Sequence, residues 1–140
     1  MNIDPTREQF EMMKGLDREK PINMLNLVRL NYKAKYAEGK APEAGMTGAE
    51  AYKAYGAASS PIFMRVGGEI IWRGAPKGVL IGPSDEAWHI AFIARYPTVG
   101  AFLQMVTDPA YQAIVFHRQA AVEDSRLIPL GDLPGGAAFA

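Results

Sequence analysis

The chain has 140 residues, 49% of them hydrophobic and 21% charged, with fifteen lysines and arginines against fifteen aspartates and glutamates and no cysteine. That length suits one domain, and the composition is that of a folded protein rather than a disordered one. The charges divide as ten basic against nine acidic up to residue 70 and five against six beyond it, so no field gathers phosphates and nucleic acid is excluded as the expected partner; the missing cysteines exclude disulfides, thiolate metal sites, iron–sulfur ligation and a cysteine nucleophile.

The first sixteen residues, MNIDPTREQFEMMKGL, carry charges throughout and no apolar segment, which is unlike a secretory signal. No apolar run approaches the ~18 residues that span a bilayer, so a cytoplasmic protein with no membrane partner is expected. Asp4 followed by Pro5 reads as an N-cap and first helical residue, with Phe10, Met13 and Leu16 on one face of a helix over about residues 5–15. Residues 21–30, PINMLNLVRL, are apolar at both parities, the mark of a central strand covered on both faces. Residues 31–46 read as a long loop, either a lid or a plain surface insert.

Thr47 and Glu50 make a capping-box spacing, and Tyr52, Tyr55, Ser59, Ile62 or Phe63 and Val66 then mark a helical stripe that stops at Gly67-Gly68. Pro61 predicts a kink or break near Ser59. Glu69–Gly74 and Lys77–Ile81, separated by Ala75-Pro76, read as one bulged edge strand. Residues 87–96, AWHIAFIARY, form the next strand, with Trp88, Ile90, Phe92, Ala94 and Tyr96 on one face and His89, Ala91, Ile93 and Arg95 on the other. Thr98 caps a short helix carrying Phe102, Leu103 and Met105, and Asp108-Pro109 restarts it with Tyr111, Ile114, Val115, Arg118 and Val122 as the inner stripe. Residues 126–130, RLIPL, form a last strand that Pro129 confines to an edge, and residues 131–140 are a loose tail.

The order strand, helix, strand, strand, helix, strand is the ferredoxin-like β-α-β-β-α-β arrangement of an α+β domain, with two helices on one face of a four-stranded antiparallel sheet. An extra helix precedes a core over about residues 21–130. The remaining sheet face would be an apolar patch larger than monomers tolerate, so the chain is expected to pair with itself as a homodimer.

The segments INMLNLVRL, Tyr52-x-x-Tyr55, Tyr96-Pro97, Phe102-x-x-Met105, Asp108-Pro109-x-Tyr111 and His117-Arg118 carry a resemblance to an uncharacterised family of small bacterial proteins in the dimeric α/β-barrel superfamily. It covers residues 21–130. The resemblance implies ferredoxin-like subunits that pair into a barrel, and no assigned activity. The chain departs from the pattern after Trp88, where an acidic residue is expected and His89 stands.

Two histidines without cysteine argue against a metal site: Glu86 and His89 have a spacing that aligns ligands only on a helix, whereas on a strand they point to opposite faces. No cofactor is expected, although haem-binding relatives in the superfamily suggest His117 as an axial ligand. His117 is otherwise read as a general base, or as a helix-face histidine bonded to structure. Asn26, Arg73, His89 and Arg95 are polar groups at strand positions that would either line a cleft for a small anionic or carbonyl compound or satisfy one another across a dimer interface. Arg118, Tyr55, Trp88 and Tyr96 join that ligand-binding set, while the aromatic residues as a group are expected mainly in the core. Two functional readings follow. One is a cofactor-independent enzyme or binder of a small, partly apolar or anionic molecule, by analogy with monooxygenases and isomerases of the superfamily. The other is a non-catalytic dimeric structural or accessory module.

Overall fold

The computed structural model describes residues 1–139. Helix α1 (Arg7–Lys14) starts where Thr6 and Gln9 exchange hydrogen bonds, each side chain accepting from the other's amide. The cap is therefore Thr6 and not Asp4, whose partner position three residues on is Arg7, a side chain with no acceptor to return the bond. Strand β1 (Ile22–Leu30) pairs antiparallel with both β3 (Ile90–Tyr96) and β4 (Val122–Leu130), and β2 (Glu69–Gly74) adds to β3, giving the order β2-β3-β1-β4. The two-sided apolar run of β1 thus occupies a central position, and Pro129 lies on an edge strand.

Thr47 and Glu50 form the capping box that their spacing predicts and start α2 (Gly48–Arg65). Of the kink or break expected near Ser59, the break does not occur, and the helix is continuous through Pro61. Pro61 withdraws the amide that would serve the Ala57 carbonyl, and Ala57 is exposed, so water serves it instead. Gly67, at φ +85°, turns the chain out of the helix.

Three strand boundaries differ from expectation. Lys77–Ile81 has no place in the sheet: Pro76 has no amide to donate, and Gly78 and Gly82, both at φ +140°, take the chain away from β3. The bulge expected at Ala75-Pro76 does not form there, and the register of β2 against β3 shifts instead between Ile70 and Trp72. Strand β3 begins at Ile90, three residues late, because His89 Nδ1 accepts the Leu30 amide at 2.9 Å and ends the ladder there. Strand β4 begins at Val122, four residues early, so Val122 leaves the helical stripe assigned to it. The carbonyls of Ala120 and Ala121 are taken by the amides of Lys35 and Asn31, which ends the helix and delivers the chain to β1.

Between β3 and β4 the broken helix is α3 (Val99–Thr107), capped by Thr98, then α4 (Pro109–Gln112), capped by Asp108, then α5 (Phe116–Ala121). Ile22, Met24, Ala94 and Tyr96 meet Ile62, Phe102, Leu103 and Met105 in one buried cluster, and Val28, Ala51, Ala121 and Val122 form a second. The helices therefore cover one face only. On the other, Leu25 and Ile93 lie in register with Ile128 and Trp72, Leu27 lies beside Ala91, and Ile128 and Trp72 are 42% and 56% exposed. Alone, the chain is an open sheet and not a closed barrel. Among the described residues no helix is long and apolar enough to cross a membrane.

Gly48 is the tightest point of this framework, since a Cβ there would lie 2.0 Å from the Asn31 carbonyl oxygen, whereas one on Gly56 of the same helix meets nothing within 4 Å. Gly48→Ala is expected to lower stability by about 2–3 kcal/mol through overpacking. Gly56→Ala should raise it by about 0.5–1 kcal/mol through helix propensity. Urea unfolding midpoints of the two variants check both signs.

Candidate functional site

Along the helix-facing side of β1 the order is Met24, Asn26, Val28, and the two flanking residues belong to different buried clusters. Asn26 thus marks a polar seam between them. Its register partner Phe92 packs against both clusters. The amide nitrogen of Asn26 donates to the Met24 carbonyl at 3.0 Å, and among the described residues no donor reaches its oxygen.

Helix α2 supplies the roof of the seam. Tyr52 packs on the second cluster and Tyr55 on the first, with ring centroids 5.6 Å apart, as the i, i+3 spacing dictates. The hydroxyls of Tyr55 and Tyr111 are 2.8 Å apart and share a hydrogen bond. Burial pushes the Tyr52 phenol far above its ordinary range, Tyr55 adds to the rise, and the charges of Arg118 and Arg73 oppose it. Burial likewise raises Tyr55, against the Tyr111 hydrogen bond and Arg118. Tyr111 is raised by burial and then by Tyr55, again with Arg118 opposing. The one guanidinium that acts on all three phenols is Arg118.

Arg118 is held in place by backbone and side chain together: it donates to the Ile3 carbonyl and, at 3.3 Å, to Ser125 Oγ, which in turn donates to the Asn2 carbonyl at 2.7 Å. Ser125 pairs with Val28, which makes it a diagonal neighbour of Asn26, about 7–8 Å away on the same face. A guanidinium has five donors, so these two bonds leave others for a ligand. The phenols stay neutral through the ordinary pH range and act as hydrogen-bond donors. Neutral donors beside a fixed positive charge favour a negative or partly negative oxygen.

Of the residues singled out from sequence, Asn26, Tyr55, Arg73 and Arg118 lie along this seam. The others are elsewhere. His117 turns to the β1–α2 connection, where its Nδ1 is 2.7 Å from the Tyr36 hydroxyl. His89 caps Leu30, as described. Trp88 is flanked by the guanidiniums of Arg126 and Arg29, at 5.0 and 5.8 Å from its ring. Arg95 bonds Asn23 and Asp132 on the helix-free side. Tyr96 is buried between Phe63 and Phe102 in the first cluster, its phenol raised by burial and by Tyr55 and Tyr52. Tyr52, Tyr111 and Ser125 were not singled out as site residues; the Tyr52-x-x-Tyr55 spacing is the one local signal that pointed toward them.

The chain is similar to a protein of unknown function from Rhodopseudomonas palustris whose crystal structure is known: identity is 53% over 96% of this chain and 98% of that one, with a TM-score of 0.88. More distant solved structures share the fold. A dabb family protein with a ferredoxin-like fold from Mesorhizobium loti is 16% identical over 81% of this chain and 98% of that chain, at a TM-score of 0.50. SnoaB, a cofactor-independent oxygenase from Streptomyces nogalater, is 13% identical over 85% and 99%, also at 0.50. No curated protein matches the chain. Residues 43–129, which hold most of the seam, match the family described as Domain of unknown function (DUF1330), and with that match the chain belongs to it.

Proposed function

We propose that the protein binds a small, partly apolar molecule bearing a carbonyl, phenolic or carboxylate oxygen in the seam, and acts on it without a cofactor by stabilising negative charge on that oxygen. The observation that carries this reading is the Tyr55–Tyr111 hydroxyl pair, 2.8 Å apart, on the helix side that also holds Asn26 and the Ser125 to which Arg118 donates. Arg118 and whichever of Tyr55 and Tyr111 is not donating to the other take the oxygen, Asn26 adds an acceptor for a ligand hydroxyl, and Arg73 brings a second positive charge from β2. Preorganised donors of this kind are worth several kcal/mol when charge develops on the bound oxygen. His117 has no part in it, because its ring is engaged by Tyr36. The cofactor-independent oxygenase noted above supports the reading to the extent that the same fold houses such chemistry there.

The working unit in this proposal is a homodimer closed through the helix-free sheet face. An uncovered face with Leu25, Leu27, Ile93 and Ile128 at its centre favours a second copy, and two such open sheets face to face give the barrel that one chain lacks. Ile128→Glu places a charge on that face without touching the helix side. It should convert a dimer in sedimentation velocity at micromolar concentration into a monomer; a wild-type monomer would end the dimer proposal.

For the seam, a panel of phenols, small β-diketones and short aromatic carboxylates is screened by thermal shift. A compound that raises Tm of the wild type is expected to give no shift with Arg118→Gln and a reduced one with Tyr55→Phe, with Arg118→Lys failing to restore it because a point charge lacks the fork of donors. Equal shifts in all variants would favour a non-catalytic module.

The neutral phenols also set a pH dependence. Tyr52, Tyr55, Tyr96 and Tyr111 are raised above their unfolded values, so their contribution to stability is complete below about pH 10 and is lost as pH rises beyond it. The loss amounts to about 1.4 kcal/mol per pH unit for each phenol that ionises only on unfolding. Absorbance at 295 nm should therefore rise early for exposed Tyr32 and then together with the loss of far-UV circular dichroism for the rest.

A further inference from the structure

Beyond the seam, a cleft of about 470 Å³ opens between the β1–α2 connection and the turn joining α4 to α5. Tyr36 and Phe116 give it aromatic surface, with ring centroids 5.9 Å apart in an edge-to-face arrangement, and Ala37, Ala113 and Ala120 leave the space free. Lys35 and Lys40 bring positive charge to its lining. Among the described residues neither lysine lies within ion-pair distance of a carboxylate. Gln119, also in the lining, is the amide that holds Asp4.

The connection that forms one side of this cleft is tied down. The Lys35 amide donates to the Ala120 carbonyl at 2.8 Å, the Ala34 amide to the Met46 carbonyl at 3.0 Å, and the Tyr36 hydroxyl bonds His117 Nδ1. Such anchoring removes ordering cost from binding. The volume falls in the range of small-molecule sites, about 300–1,000 Å³, and an apolar aromatic interior with cations at its edge selects a flat apolar body carrying one negative group.

We infer that this cleft is a second binding site, independent of the seam, for a small planar aromatic carboxylate. The ring lies against Tyr36 and Phe116 and the carboxylate meets Lys35 and Lys40. The test is calorimetric titration of the full chain with 2-naphthoate, and with 2-naphthalenemethanol as the uncharged match. Saturable binding of naphthoate is expected, weaker by about ten-fold or more for the alcohol and for the double variant Lys35→Ala, Lys40→Ala, and absent in Ala113→Phe, which fills the cleft from an exposed position. Because the seam also takes aromatic carboxylates, every arm is repeated in the Arg118→Gln background, where the lysine-dependent binding of naphthoate should persist. Absence of saturable binding to the wild type, undiminished binding to Ala113→Phe, or loss in Arg118→Gln with retention in the lysine variant would each overturn the assignment; should Ala113→Phe fail to fold, the lysine variant and the alcohol decide it.

Discussion

A phenol withdrawn from water needs a partner for its hydroxyl, and the helix side of this sheet brings two such groups together. Tyr55 and Tyr111 solve the problem with each other, at 2.8 Å, while Arg118 limits how far burial raises these two phenols and Tyr52. This constraint links elements far apart in the chain. Tyr111 stands on the short helix that Asp108-Pro109 restarts, so the break between α3 and α4 aims a side chain as well as turning the backbone. Arg118 keeps its direction because Ile3 and Ser125 hold it, which makes the first four residues part of the seam's support.

The two faces of β1 show how differently polar groups are handled. On the helix-free face the charges are spent on one another: Arg126 meets Asp124 and Glu86, Arg29 meets Glu123 and Asp124, and both guanidiniums stack on Trp88. Around them lie the apolar residues that a second subunit would cover. On the helix face the polar groups are fewer and less completely engaged, with an open acceptor on Asn26 and spare donors on Arg118. A rim that satisfies itself suits an interface, and a seam that does not suits a ligand.

Local pattern carried far in this chain because its signals are short-range. Both faces of β1 are apolar in sequence and both matter in space; Thr47 and Glu50, three positions apart, cap a helix; Asp108-Pro109 stops and restarts one. Where a neighbour distant in sequence intervened, the same reasoning missed. Lys77–Ile81 has strand-like composition and no strand to pair with, and β4 begins early because the amides of Asn31 and Lys35, far upstream in the chain, claim the Ala121 and Ala120 carbonyls before it. Thr6 rather than Asp4 caps α1 for a reason that was local and visible, the acceptor on Gln9.

The candidate site divides along the same line. By itself the sequence determined the ferredoxin-like order of elements, the two-faced central strand and the Tyr52-x-x-Tyr55 pair, since hydrophobic period, capping residues and turn chemistry act within a few residues. Only the tertiary structure decided that Arg118 turns to Ile3 and Ser125 while its neighbour His117 faces Tyr36, because adjacent residues on a helix point about 100° apart and what lies on each side belongs to distant parts of the chain. The same holds for His89, expected among the residues lining a small-molecule cleft, whose acceptance of the Leu30 amide across 59 residues puts it at the end of a ladder.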